Sequence, residues 1–285
     1  YPMDEYRLIR DYQNGEIIFD RRYGSTNTFE KNNYPVGYNL GQSGNTPSQN
    51  LVDAYEMIDG TPFDWNNPEH KSNPYANRDP RLAMSILTNN VEFKDRTIEA
   101  WTGGRDGKGV IHATRTGYYI YKFIDPNLDL LQNRTSVHHW VIMRYAEILL
   151  SYAEAMNEAY GPTGNVGYRL NAVRALNQVR NRVGVEMPAV PTAISKEELR
   201  EKIRNERRVE LAFEDHRFWD VRRWMIAPET LGAPLRGVEI TKISDEEFEY
   251  KPIEVEKRTF EPKMYLYPIP QADLNTTGWV QNPLW

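Results

Sequence analysis

WVIMRYAEILLSYAEAMNEAY, residues 140–160, places its apolar side chains at the spacing of an α-helix. The stripe consists of Ala146, Leu149, Leu150, Ala153 and Met156. Apolar residues that recur every three to four positions share one helical face, and Gly161-Pro162 ends the run. Ala146, Ala153 and Ala155 are small, so a neighbouring helix can approach closely. The pattern predicts a core helix over this stretch.

Three further helices are predicted after it. The second spans residues 168–183, with the stripe Leu170, Val173, Leu176 and Val179 and with Gly184 after it as a C-cap. The third starts at Ser195, which forms a capping box with Glu198, and continues to about residue 214. The fourth spans residues 217–226. Two antiparallel pairs of this kind indicate a tetratricopeptide-like helical repeat, degenerate because the pairs start much farther apart than 34 residues.

The regions on either side of these helices differ from them in composition. Residues 1–135 are loop-rich, with Gly, Pro, Asn and Asp every few positions, a short helix predicted at 51–58 and strands predicted at 16–19 and 118–123. The tail, 229–285, is predicted to hold loops and short strands, the clearest at 264–270. We therefore predict a mainly α single region, 1–285: a loop-rich part at 1–135, helical-repeat part at 136–228 and tail at 229–285.

Composition excludes several classes of function. The 285 residues include no Cys, which removes disulfides, thiolate metal sites and cysteine nucleophiles. A net charge of −5 argues against a nucleic-acid binder, and no apolar run approaches 18 residues, so no membrane span is predicted. The 18 Tyr and 7 Trp suit a surface that meets a polar ligand with flat faces, or an aromatic-rich core. The chain begins Tyr1-Pro2-Met3, which suggests processing or excision from a longer chain.

The third helix is unusually charged. Its apolar stripe of Leu199, Ile203 and Leu211 is interrupted by Arg207, and buried charges require partners. A structural ion-pair network is the favoured interpretation over a ligand site.

No motif predicts catalysis. The Gly-rich run 103–109 lacks both the first Gly and the Ser/Thr of a phosphate loop, so a hairpin tip is favoured. Asp125, Asn127 and Asp129 match the start of a calcium loop, but Leu130 and Ser136 replace its Gly and Glu. Asp59, Asp64 and Asp79 offer carboxylates for glycoside hydrolysis, although any acidic protein does so. We predict no enzyme activity, no catalytic or metal residues and no cofactor.

Several long stretches, in the same order, resemble the SusD/RagB family of nutrient-binding outer-membrane lipoproteins of Bacteroidetes. The stretches are 46–62, NRDPRL at 77–82, GYY at 117–119, RYAEILL at 144–150, ERRVELAFE at 206–214, RFWDVRRW at 217–224, YLYPIP at 265–270 and QNP at 281–283. The resemblance covers nearly the whole chain but only the C-terminal half of a usual member. It suggests that the N-terminal half, with its signal peptide and lipidated Cys, is absent here.

The resemblance implies a tetratricopeptide-like scaffold and a surface-exposed position at the outer membrane. It also implies a SusC-like TonB-dependent transporter as the partner and non-catalytic capture of a nutrient, most often a glycan. Peptide capture, or a protein-interaction scaffold that binds no small molecule, are the alternatives. The membrane contact would be only through the lipid anchor.

Aromatic side chains in loops are the candidates for ligand contact, because flat rings cover the apolar faces of sugars while amides and charges meet the hydroxyls. Their chemistry alone nominates them, and ordinary packing or partner contact is the alternative for each. The nominated residues are Trp65, Trp101, Tyr38, Tyr75, Tyr34 and Arg105.

Overall fold

Three helices in the middle of the chain form the main helical body of the protein. The structure is a computed structural model that describes residues 14–285. The interpretation of the N-terminus at Tyr1-Pro2-Met3 lies outside the described residues. The described helices are α1 (Thr28–Asn33), α2 (Gln49–Val52), α3 (Pro68–Ser72), α4 (Pro80–Ser85), α5 (Tyr145–Tyr160), α6 (Ala172–Arg180), α7 (Lys196–Glu210), α8 (His216–Arg223), α9 (Ala227–Thr230) and α10 (Gln271–Thr277). A 3-10 turn spans Pro262–Tyr265.

The described strands form four two-stranded antiparallel sheets. They are β1 (Ile17–Arg22) with β6 (His139–Arg144), β2 (Ile86–Leu87) with β5 (Tyr119–Ile120), β3 (Glu92–Phe93) with β4 (Arg96–Thr97), and β7 (Leu235–Lys242) with β8 (Phe248–Glu256). More residues lie in helices than in strands, so the mainly α prediction is confirmed. None of the helices in residues 14–285 has the length and apolar content needed to cross a bilayer.

The helix α5 packs against both α6 and α7. Its predicted stripe is buried, as are Val173, Leu176 and Val179 of α6 and Leu199 and Ile203 of α7. Each fully buried aliphatic side chain of this kind contributes about 1.5–3 kcal/mol. Of the three small residues, Ala146 and Ala153 are buried and Ala155 is exposed. The tetratricopeptide-like repeat stays a prediction.

Several predicted helices begin or end at the wrong residue. Helix α5 begins at Tyr145 rather than Trp140, because His139–Arg144 pairs with β1 as a strand. Helix α6 is shorter than 168–183 at both ends, with Asn181 rather than Gly184 as its C-cap. The Ser195 capping box is present, but α7 ends at Glu210.

A second, aromatic core lies beneath the loops of the first half. It includes Tyr34, Tyr55, Phe93, Tyr118 and Tyr119, all at most 2% exposed. The predicted strand at 118–123 is confirmed only at Tyr119–Ile120, and the predicted helix at 51–58 is replaced by Gln49–Val52. Ordered packing around these rings explains how a loop-rich segment keeps one conformation.

The C-terminal tail differs most from prediction. Residues 264–270, predicted as a strand, form part of the 3-10 turn and then coil. The strands of the tail lie earlier, in the β7–β8 hairpin, where Val238, Ile240 and Tyr250 are buried. This hairpin lies against the aromatic core at Gly117, where a Cβ atom would approach a Val238 methyl carbon to 2.7 Å.

The predicted ion-pair network of the third helix is confirmed. Arg207 binds both oxygens of Asp220, at 3.0 and 3.1 Å. Glu206 and Glu210 face Arg81, which is 1% exposed and also binds Asp79. Charges on the inner face of α7 therefore join the helical body to the loop-rich part at α4.

Candidate functional site

A cavity of about 1000 Å³ opens between the loop-rich part and the β7–β8 hairpin. One side is formed by α3 and the residues after it, another by residues 88–91, and the third by the turn and first residues of β8. Helix α3 is fixed at this edge by Asn67, whose side chain accepts a hydrogen bond from the Glu69 N–H. The hairpin supplies the opposite wall because β8 pairs with β7 along its whole length.

Three aromatic side chains line one wall of the cavity: Tyr75, Phe248 and Tyr250. The Tyr75 and Tyr250 ring centroids lie 5.3 Å apart at 84°, an edge-to-face contact. Trp101, outside the lining, packs on Phe248 with ring centroids 5.3 Å apart. The Lys242 ammonium lies 5.0 Å from the Trp101 ring centroid. Rings held by other rings present a rigid apolar face to the cavity.

Amides and charges line the rest of the cavity. Asn73 and Asn90 are exposed there, together with Lys71 and the carboxylates of Glu246, Glu247 and Glu249. Asn89 is buried, and its amide donates to the Tyr250 hydroxyl at 3.4 Å while its carbonyl accepts from the Ala100 N–H at 3.1 Å. An apolar face bordered by hydrogen-bonding groups is the arrangement typical of small-molecule sites.

Burial shifts the titration of the phenols of this wall. It raises the pKa of Tyr75 well above its usual value, and the nearby Tyr118 and Tyr250 hydroxyls add to the effect. Burial likewise raises the pKa of Tyr250. Tyrosine hydroxyls are protonated at neutral pH even without this shift, and burial extends that protonated range to higher pH.

The structure places the nominated residues in different parts of the molecule. Tyr75 lines the cavity, and Trp101 supports it through Phe248. Trp65 lies outside the lining, where its indole N–H donates to Asp53 Oδ1 at 3.0 Å and its ring meets Phe63 edge-on at 5.1 Å.

The other three nominated residues lie around a second cavity of about 590 Å³. Tyr34 and Tyr38 are only 1% and 7% exposed, and both meet Phe93 edge-to-face. Their hydroxyls donate to backbone carbonyls, Tyr34 to Asp125 and Tyr38 to Phe93. Arg105 is exposed and binds Glu99 at 2.6 Å. Both rings pack on Phe93 and both hydroxyls bind backbone carbonyls, so we do not carry these tyrosines forward as ligand contacts.

Phe248 and Tyr250 were missed in the sequence. They belong to FEYKPIEVE, which follows the acidic turn 245–247 and contains a proline that argues against a strand. The available signal was the alternation of Phe248 and Tyr250 with charged residues, which places both rings on the same side of a strand.

Among residues 14–285, no group of three or more His, Asp or Glu side chains is arranged to hold a metal ion. In the run that resembles a calcium loop, Asp125 is buried and accepts the Asn127 N–H at 3.0 Å. Asp129 accepts the Gln132 N–H at 3.1 Å. These carboxylates close local turns.

Comparison with known proteins identifies the family. The model of the SusD family matches residues 15–285. The chain belongs to the SusD family. Two curated relatives come from Formosa agariphila. SusD-like protein P2 is 34% identical over 120 residues, 40% of this chain and 22% of that protein. SusD-like protein P38 is 35% identical over 104 residues, 34% of this chain and 19% of that protein.

Solved structures of SusD-like proteins share the fold. A SusD-like protein of Bacteroides fragilis has a TM-score of 0.81 and 31% identity, and the match covers 100% of this chain and 58% of that one. A second protein from B. fragilis, described as a SusD-like carbohydrate-binding protein, has a TM-score of 0.79 and 29% identity, with 95% and 56% coverage. This SusD-family chain thus spans little more than half the length of these relatives.

Proposed function

We propose that this protein binds a glycan, without altering it, in the cavity lined by Tyr75, Phe248 and Tyr250. The observation that supports the proposal is the rigid aromatic wall bordered by amides and carboxylates. The SusD-like protein of B. fragilis described as carbohydrate-binding supports the same class of ligand.

The chemistry of the cavity suits a sugar. Its aromatic face covers the C–H face of a pyranose ring at low entropic cost, since the rings are already held by Trp101, Asn89 and each other. The amides of Asn73 and Asn90 both donate and accept, and the glutamates accept, which matches the hydroxyls at the edge of a sugar. Three carboxylates against the single Lys71 favour a neutral ligand over an anionic one at this site.

Family membership supports the remaining steps. We propose that the protein acts at the outer surface of the outer membrane, held there by a lipid anchor. We further propose that it delivers the bound glycan to a SusC-like TonB-dependent transporter. Co-purification of such a transporter with the tagged protein from its native membrane tests this partnership, and its absence from the eluate under mild detergent would count against it.

Substitution of the aromatic wall tests the binding proposal. We expect Phe248→Ala to weaken binding of a retained polysaccharide about fivefold, since a lost ring contact is worth about 1 kcal/mol. Trp101→Ala is expected to weaken binding less, through loss of support for Phe248. Affinity electrophoresis on a panel of neutral polysaccharides identifies the ligand, and calorimetry gives the affinities.

Matched variants control for nonspecific effects. Phe218→Ala and Trp219→Ala remove exposed rings of α8, outside the cavity, and we expect both to bind like the parent. Trp65→Ala tests the nominated tryptophan that lies outside the cavity, and we expect its glycan affinity to equal that of the parent. Equal binding by the parent and Phe248→Ala would contradict the proposal. Binding of peptides alone, or of no ligand with the transporter still captured, would favour the two alternative functions.

A further inference from the structure

A cleft rich in arginine lies on another part of the molecule, apart from the aromatic cavity and from the cavity around Tyr34 and Tyr38. Its volume is about 590 Å³, and it shares no lining residue with the aromatic cavity. Residues 50–54, the end of α7, the start of α8 and residues 229–236 surround it. Four guanidinium groups reach it, against two carboxylates, those of Asp53 and Glu229. The four are Arg208, Arg217, Arg236 and Arg258.

Two of these arginines have ordinary partners. Arg236 binds Asp53 Oδ2 at 2.7 Å, and Arg258 binds Glu256 at 3.2 Å. The other oxygen of Asp53 accepts hydrogen bonds from Gln49 and Trp65, at 2.7 and 3.0 Å. The hydrogen-bonding capacity of Asp53 is therefore largely occupied by groups other than Arg208 and Arg217.

Arg208 and Arg217 are partly buried and form no ion pair with any carboxylate in residues 14–285. Arg208 donates to a single acceptor, the Asn50 carbonyl, and no side-chain hydrogen bond connects Arg217 to the described part of the chain. This differs from Arg81, which faces three carboxylates.

A buried arginine elsewhere in the chain binds backbone carbonyls in place of a carboxylate. Arg78 donates to the carbonyls of Pro74, Val52 and Tyr55 at 2.6–2.7 Å and lies 4.1 Å from the Phe63 ring centroid. Arg208 and Arg217 lack such a set of acceptors. Most of their donors remain available to a ligand.

The electrostatics of the cleft agree with this geometry. Burial, with the nearby charge of Arg217, lowers the pKa of Arg208 to about 10, and the charge of Asp53 offsets part of the effect. Burial also lowers the pKa of Arg217, opposed by Asp220. Two like charges partly removed from water gain from any anion that enters between them.

We propose that this cleft binds an oxyanion group, a carboxylate or sulfate, through the guanidinium groups of Arg208 and Arg217. Guanidinium groups are planar and present paired N–H donors that match two oxygens of such a group. The site does not depend on the aromatic cavity. It provides for an acidic ligand, or for the acidic substituent of one, that the glutamate-lined cavity disfavours.

Calorimetry and thermal melting of the whole chain test the proposal, with sodium glucuronate and sodium sulfate as probes at constant ionic strength. Glucose and sodium chloride serve as the neutral and simple-salt controls. We expect one saturable site for glucuronate, sulfate or both, and a rise in melting temperature with the anion that binds. Tighter binding of glucuronate than of sulfate indicates an acidic sugar as the ligand. Binding of sulfate alone indicates a sulfate group or the free anion.

Charge-matched variants locate the site. Arg217→Gln is expected to weaken anion binding at least tenfold, while Arg217→Lys retains part of it. Arg174→Gln removes an exposed charge of α6 outside the cleft, and we expect it to bind like the parent. Because Arg217 lacks an ion pair, neither of its substitutions should lower the melting temperature in the absence of anion. Absence of saturable binding to the parent, or equal weakening by Arg217→Gln and Arg174→Gln, would overturn the proposal.

Discussion

Glu214 shows at the scale of one residue how this protein keeps charge in its interior. Its side chain is 1% exposed and accepts hydrogen bonds from Lys122 at 2.6 Å and from Arg144 at 2.8 and 2.9 Å. Burial alone would raise the pKa of this carboxyl, but Arg144 and Lys122 reverse the effect and lower it from 4.5 to about 2. The folded state thus stabilises the charged form of Glu214 relative to the unfolded state.

This shift predicts acid sensitivity. A carboxyl with a lowered folded pKa contributes stability above its unfolded pKa, and that contribution is lost as the pH falls from about 4.5 towards 2. We expect Glu214→Gln to lose about 3 kcal/mol at pH 7, because it leaves two buried cations short of a charge. We also expect its stability to depend less on pH between 5 and 3. Urea unfolding of both proteins across this range measures the effect.

The exposed Glu201 provides the control for this prediction. It pairs with Arg204 on the surface of α7, and Glu201→Gln should change the free energy of unfolding by less than about 0.5 kcal/mol. A Glu214→Gln variant as stable as Glu201→Gln would show that the buried network contributes little.

At the scale of one element, α7 has a start that was predictable from four residues. The Ser195 hydroxyl accepts the Glu198 N–H at 3.1 Å, and the Glu198 carboxylate accepts the Ser195 N–H at 3.0 Å. We expect Ser195→Ala to lower the free energy of unfolding by about 1 kcal/mol, because the Glu198 N–H in the first turn loses its acceptor.

Ser195→Asp is the matched variant, since aspartate is also a favourable N-cap. Denaturant unfolding should rank it close to the parent. An equal loss for Ala and Asp would mean that the cap is not the source of the effect.

Local patterns predicted the existence of elements better than their ends. Periodicity identified α5, yet the same apolar pattern continued into residues 140–144, which pair with β1. That pairing joins residues more than a hundred positions apart, so no local pattern reveals it. The β7–β8 hairpin was missed because Gly237 and Pro252 interrupt its alternation, although both lie in the paired strands, Gly237 opposite Ile253 and Pro252 opposite Val238.

The same limit explains which nominated residues lie at the proposed cavity. Tyr75 and Trp101 were nominated because they are aromatic residues in loops, and that criterion also selected Tyr34 and Tyr38. Only the fold shows that Phe93 buries those two tyrosines while the hairpin brings Phe248 and Tyr250 to Tyr75. Chemistry pointed to the residue types, and long-range packing decides which rings face a cavity.

At the scale of the whole molecule, we propose that the helical body acts as a frame for a ligand surface made by other parts of the chain. Buried ion pairs join α7 to α4, and the hairpin packs on the loop-rich part at Gly117. The aromatic cavity lies between these joined parts, and the arginine-rich cleft lies where α7, α8 and the hairpin meet. The first of these proposed sites is lined by carboxylates and suits a neutral group, and the second is lined by arginines and suits an acidic group.

Hydrogen exchange with and without a bound neutral oligosaccharide tests the central claim most directly, because it locates the contact. We predict slower amide exchange in residues 71–76, 88–91 and 243–250, which surround the aromatic cavity. We expect no slowing in residues 126–131, beside Tyr34 and Tyr38. Protection confined to that second region, or to the helical body, would contradict the account.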